Sequence, residues 1–274
     1  MPPTNHRSLR AGALAIVAAC ATLSAHAAVV DVTVTVQNLA PAGGIAFAPL
    51  HLGFHGGSFD AFNLGGVATA PIISVAEGGA GGAWQAAFAA ADPTATRGTV
   101  GGLLLPGASN SLTLRVDTAL NPLFTFAGMV VPSNDFFIGN DNPAEYRLFN
   151  AAGALTTSTI TVTAGEIWDA GSEVFDPAAA AFVGTNDLRT PQNSVVAFNF
   201  AELAAFNGLT TGAGYTFSSA LAASSEVYRI SFEVSPVPEP GSLAMLTAGL
   251  LGMGFMARRR RAGAGAEPQA LPAA

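Results

Sequence analysis

Residues 30–39 read VDVTVTVQNL, with Val30, Val32, Val34 and Val36 alternating with Asp31, Thr33, Thr35 and Gln37. Successive side chains of a strand point to opposite faces, so this pattern is that of a half-buried strand with one apolar and one polar side. Outward from it, the break PAGG (41–44) leads into FAPLHLGFH (47–55), a second strand that runs into a glycine turn. Residues 65–102 are rich in Ala and Gly, with Trp84 and Phe88 as large anchors, and suit short helices or loops. SLTLRVD (111–117) alternates again, placing Leu112, Leu114 and Val116 on one face. LFTFAGMVV (123–131) is nearly continuous apolar sequence, as in a central strand covered on both sides. Further strands are expected at 157–163, 195–200 and 227–234; in the last, Tyr228, Ile230, Phe232 and Val234 share a face. Short strands separated by turn signals, without repeats, heptads or βαβ alternation, imply an all-β fold, an antiparallel β-sandwich.

Composition bounds the chemistry of this body. Half of the 274 residues are apolar, which is enough for one sizeable core. Between residues 28 and 235 there are five arginines, no lysine and sixteen Asp and Glu, a formal charge of −11. A surface of that sign repels phosphate backbones and attracts divalent cations, so nucleic acid is not an expected partner. The single cysteine, Cys20, lies in the N-terminal apolar run, and a body cut free of that run carries no thiol and no disulfide.

Two turns stand out on this frame, PSNDFFIGND (132–141) and WDAGSEVFD (168–176). They offer Asp135, Asp169 and Glu173 as oxygen donors, and a calcium ion takes six to eight oxygens in irregular geometry. Carboxylates gathered without a cation would raise one another's pKa. The plain alternative is turn chemistry, in which an aspartate caps its own turn. Asn140, Asp141 and Asn142 lack the donor spacing of an EF-hand loop and suit an Asx turn better.

His51 and His55 are the histidines of the body. Four residues apart on a strand, their rings stand about 13 Å from each other, too far for one metal, so sheet-face or turn roles are expected. No G-x-S-x-G elbow or cysteine nucleophile accompanies them. Asp135 and Asp169 could alternatively form a glycosidase pair, which only geometry can test. Trp84, Trp168 and the phenylalanines read most simply as core.

The two ends read as addresses. Arg7 and Arg10 precede AGALAIVAACATLSA (11–25), and Ala25 and Ala27 supply the small residues read by a signal peptidase, giving a secretory signal peptide over 1–27. A competing reading takes VAAC (17–20) as a lipoprotein box with Cys20 lipidated. At the other end, VPEPGSLAMLTAGLLGMGFMARRRR (237–261) joins a Pro-Glu-Pro turn, an apolar run and four arginines. As a helix that run would reach about 25 Å, slightly short of a typical hydrocarbon core, which suits a transmembrane helix used temporarily. The arginines would hold its end on the cytoplasmic side.

This tail resembles a PEP-CTERM sorting signal, with Pro238, Glu239 and Pro240 as the motif and Arg258, Arg259, Arg260 and Arg261 as its end. The resemblance implies a segment over 236–261 that an exosortase processes, with release or attachment of the body at the cell surface. A permanent single-span anchor is the alternative. Residues 262–274 are low-complexity and expected to be disordered.

The order of VTVTVQNLAP, LHLGFHGGSFDAFNLG, AGMVVPSNDFFIG, WDAGSEV and EVYRISFEV resembles the spondin domain of extracellular matrix proteins and bacterial secreted proteins. That resemblance spans residues 30–234 and implies a C2-like sandwich over 28–235. It also implies a calcium ion at one edge, with Asp135 matching the acid of the first turn and Asp169 and Glu173 the acids flanking the second. An aspartate is also found in the family where this chain has Glu173, and the cysteines of the animal domains are absent. The expectation is a secreted, calcium-binding, non-enzymatic adhesion or matrix protein, cut by signal peptidase and exosortase, passing the inner membrane and working near exopolysaccharide or another surface protein. The rival is a secreted hydrolase of polysaccharides or esters.

Overall fold

The alternating valines of 30–39 do form a strand, and it lies at the centre of the smaller of two sheets. The computed structural model describes residues 29–198, 201–237 and 249–253. Its elements are β1 (Val29–Asn38), β2 (Ala46–Phe47), β3 (Leu50–His55), α1 (Ala70–Gly78), α2 (Gly82–Ala91), β4 (Thr96–Val100), β5 (Ser109–Asp117) and β6 (Leu123–Val131). They continue with β7 (Phe136–Gly139), β8 (Tyr146–Arg147), β9 (Thr159–Thr163), β10 (Ile167–Asp169), β11 (Ala197–Phe198) and β12 (Glu226–Pro236). The smaller sheet has the order β5-β1-β12-β9 and the larger β11-β10-β7-β6-β3-β4, with β2 and β8 also pairing along β6. Every strand pair is antiparallel.

The inner faces of the two sheets make the main core. Val32, Val34 and Val36 from β1 and Ile230 and Phe232 from β12 meet Leu52 and Phe54 from β3 and Phe124, Phe126 and Ile138 from the larger sheet. Each such side chain withdrawn from water contributes about 1.5–3 kcal/mol before ordering costs. Phe54, Phe124 and Phe232 meet edge-to-face across the layers, with centroids 4.9–6.4 Å apart.

The outer face of the larger sheet is covered as well, which explains the unbroken apolar run of β6: all nine of its residues are buried. The cover is α1 and α2, from the Ala/Gly-rich stretch expected to hold short helices. Thr69 caps α1 through its side-chain oxygen, and Gly79 ends it in the left-handed conformation at φ 62°. The helices bury Ile72, Val75, Trp84 and Phe88 against Ala127, Phe137 and Trp168. The fold is thus mostly β and antiparallel, as the sequence implies, with a third, helical layer on one side.

Residues 1–28 lie outside the described residues, so the signal peptide with Ala25, Ala27 and Cys20 is not part of the structure. The same holds for Pro238, Glu239, Pro240, Arg258, Arg259, Arg260, Arg261 and the tail. Residues 249–253 are helical. Among the described residues no helix is long and apolar enough to cross a membrane.

Candidate functional site

Pairing of β7 with β10 brings the two singled-out turns together. Asp169 registers opposite Phe136, and the Ala170 N–H donates to the Asp135 carbonyl at 3.1 Å. Around Asp135 the backbone is tied at several points. The Ser133 hydroxyl donates to Val130 O at 2.6 Å and accepts from Phe136 N–H at 3.0 Å. Asn134 exchanges hydrogen bonds with the backbone of Asp176 at 3.3 and 3.2 Å. Asp135 is 1 % exposed, and its Oδ2 accepts from Ser172 N–H (2.7 Å), Glu173 N–H (3.0 Å) and the Ser172 hydroxyl (3.2 Å). It therefore holds the second turn in place.

Asp169 closes that turn on itself, its Oδ1 accepting from Gly171 N–H at 2.7 Å. Gly171 has φ 65°, and a Cβ there would stand 2.8 Å from Val195 O, so the DAGSE stretch needs glycine for both conformation and space.

Glu173 faces a partner that the sequence does not announce. Residues 171–174 run beside 190–194, with Gln192 N–H on Ser172 O (2.7 Å), Val174 N–H on Thr190 O (2.9 Å) and Ser194 N–H on Gly171 O (2.8 Å). This ladder delivers Arg189, whose Nε stands 3.1 Å from Glu173 Oε1. The same guanidinium reaches Glu77 Oε2 at 3.5 Å and donates to the Glu77 carbonyl. The pair is held by charge, since neither Glu173 oxygen nor Arg189 Nε meets hydrogen-bond geometry.

The electrostatics of this edge are those of crowded acids. Burial, reinforced by Asp169, pushes Asp135 up to about 6 against the pull of the Glu173 and Ser172 N–H groups. Burial pushes Glu173 up to about 7, with Arg189 opposing it and Glu77 and Asp135 adding to it. Glu202, in the 3-10 segment Ala201–Phe206, is also raised to about 7 by burial, then by Asp169 and Asp135. No spacing in the sequence points to Glu202 or Arg189. The structure thus places Asp135, Asp169 and Glu202 in mutual electrostatic reach, with Glu173 beside them and turned to Arg189. Among the described residues no three His, Cys, Asp or Glu side chains stand in a metal-holding arrangement.

The lesser candidates have structural partners. Asn142 Oδ1 accepts from Ala144 N–H at 2.8 Å, an Asx turn, while buried Asn140 binds Phe126 N–H at 3.1 Å. Asp141 accepts from Leu64 N–H at 2.7 Å. His51 and His55 lie on the helix-facing side of β3. Gly57 N–H donates to His55 Nδ1 at 3.0 Å, so Nε2 carries the proton and donates to Thr125 Oγ1 at 2.9 Å. Burial depresses His55 to about 4, with Asp92 opposing. His51 Nε2 faces Gly79 O and its Nδ1 faces Thr99 Oγ1, both at 3.0 Å, and burial lowers its pKa too.

Residues 236–261 match the PEP-CTERM protein-sorting motif. No curated protein matches the chain. Such a motif marks a protein sorted by an exosortase to the cell surface or exterior.

Proposed function

We propose that the chain is a non-enzymatic, spondin-like adhesion or matrix component in which the edge carrying Asp135 and Asp169 takes up calcium. The observation that carries this reading is the approach of two turns, thirty-odd residues apart in the chain, at one rim where burial, and then the neighbouring acids, push Asp135 and Glu202 up. These acids form no metal-holding group as they stand, so a divalent cation would have to draw them together, relieving their repulsion and keeping them ionised. Asp135 and Asp169 would supply carboxylate oxygens to the ion, and Glu202, which lies within their electrostatic reach, would add a third. Glu173 would join by leaving Arg189. The ion would then clamp β7, β10 and the segment before β12 into one rigid surface, which suits adhesion near exopolysaccharide or another surface protein.

A non-enzymatic role is supported by the two histidines, since both have both ring nitrogens engaged and each is held toward the neutral form. A Ser-His-Asp hydrolase would need one of them free as a base, whereas a glycosidase would use the Asp135 and Asp169 carboxylates instead.

The test is a melting curve with calcium and with chelator. Calcium bound to the folded form at a hundredfold excess over its dissociation constant adds about 2.7 kcal/mol of stability. The reading fails if the melting point is the same in both conditions, or if Asp169→Ala leaves the calcium response intact. Turnover of a polysaccharide or ester that His55→Ala abolishes would favour the hydrolase.

A further inference from the structure

Beyond Gly139, at the other end of β7 from Asp135, a half-open pocket of about 230 Å³ lies between the β7–β8 connection and the 3-10 turn before β10. Its walls include three aromatic rings, Phe126, Tyr146 and Trp168, and three carboxylates, Asp141, Glu145 and Glu166. No Arg or His lines it.

Each wall group is held in place by neutral partners. Trp168 Nε1–H donates to Gly139 O at 3.0 Å, which fixes the indole at the cavity wall. Phe126 and Tyr146 lie 6.0 Å apart with their planes tilted by 33°. Asp141 accepts from Leu64 N–H, Glu166 Oε2 accepts from Thr163 N–H and its hydroxyl at 2.7 Å each, and Glu145 lies beside the Tyr146 hydroxyl. Among the described residues no ion pair joins any of these three carboxylates, in contrast to Glu173, Glu77, Asp31 and Glu226.

Three carboxylates beside aromatic rings set the chemistry of the guest. Anions are repelled. A neutral guest can stack on the rings but leaves the carboxylate charge uncompensated. An inorganic dication gains the charge but leaves the rings idle and must shed a tightly held water shell against them. An ammonium group on a compact organic body satisfies both, because a ring face attracts such a cation by about 0.5–2 kcal/mol in addition to the carboxylate attraction. We propose that this cavity is a binding site for an organic ammonium the size of a single aminated sugar ring or a short alkylamine. The site is separate from the acid edge and does not depend on calcium there.

The test is calorimetric titration of the full-length protein in detergent with glucosamine and with n-butylammonium, using glucose as the neutral control and calcium as the inorganic one. Saturable binding of at least one ammonium probe is expected, weakened by added salt, unaffected by chelator, and absent or at least about tenfold weaker for glucose. Glucosamine binding alone would assign the sugar-borne amine, and n-butylammonium alone the aliphatic one. Glu145→Gln is expected to weaken binding by about three- to tenfold with the melting point unchanged. Asp141→Asn, which keeps the acceptor for Leu64 N–H, serves if Glu145→Gln does not fold. Glucose binding as tightly as glucosamine, calcium competing with glucosamine for the site, binding indifferent to both substitutions, or no binding of either amine would each overturn the proposal.

Discussion

Asp135 Oδ2 accepts the backbone N–H of Ser172 across 2.7 Å, so a carboxylate at the head of one strand fixes the turn that ends another. It also satisfies Glu173 N–H at 3.0 Å. Asp135→Ala leaves two buried backbone N–H donors and the Ser172 hydroxyl without this acceptor and is expected to cost about 2–4 kcal/mol. Asp135→Asn keeps an oxygen acceptor and removes the charge beside Asp169, so in chelator it is expected to lose less than about 1 kcal/mol, while losing its response to calcium. Urea denaturation of both variants, with and without calcium, separates turn-holding from ion-holding.

Stability should fall as pH rises through the range where the crowded acids ionise. Asp135 is raised to about 6, and Glu173 and Glu202 to about 7, so the folded state holds protons that the unfolded chain has released. Their contribution is complete below the ordinary carboxylate range and is lost as pH climbs through 6 to 7. His55, depressed to about 4, acts oppositely: its contribution is complete above the ordinary histidine value and is lost as pH drops toward 4. In chelator the two trends oppose each other below about 6.5, and only the acid trend remains above it. Melting curves from pH 4 to 8 should show a decline between 6 and 8, and saturating calcium should flatten it. A stability that rises over that upper range would contradict the buried-acid account.

Legibility from the sequence followed the physics of each element. β1, β5, β6 and β12 were legible because their side-chain periods or apolar runs match faces that are buried once or twice. FFIG (136–139) and IWD (167–169) are strands too, but each is only three or four residues long and sits beside a turn motif, so no period could develop. The approach of Asp135 and Asp169 to each other was an expectation carried by the resemblance of their two turns to the spondin domain, with turn-capping as the alternative. Arg189 and Glu202 could not be found that way, because a ladder between irregular segments and a 3-10 turn bring them in. The helical cover left only the weak trace of Trp84 and Phe88 in an Ala/Gly background.

Arg189 is the counter-charge of a nearly inaccessible carboxylate: the Glu173 side chain is 3 % exposed, against 21 % for Arg189. Arg189→Ala strands that carboxylate and is expected to cost about 3–5 kcal/mol at pH 8, and less at pH 5, where Glu173 takes up a proton. Adding Glu173→Gln to Arg189→Ala should recover part of the loss. A loss unchanged between the two pH values would mean that Arg189 acts through its contacts to Glu77 alone.

Gly53 lies in β3 beneath the helical layer, and a Cβ there would stand 2.2 Å from Phe88 Cε1. The ring has little room to yield, since it stacks on Phe59 at 4.2 Å and meets Trp84 and His55 edge-on at 5.1 and 5.3 Å. Gly53→Ala is therefore expected to cost about 1–3 kcal/mol through overpacking, although alanine suits the backbone of a strand. Phe88→Ala opens a cavity under α2 and is expected to cost about 3–5 kcal/mol. In the double variant the new methyl enters the space the ring vacated, so the combined loss should fall short of the sum by about 1 kcal/mol or more. Additive losses would show that Gly53 is tolerated for another reason and that the ring does not rest on the strand backbone. The larger sheet's outer face would then owe its burial to looser contacts than the stacked rings describe.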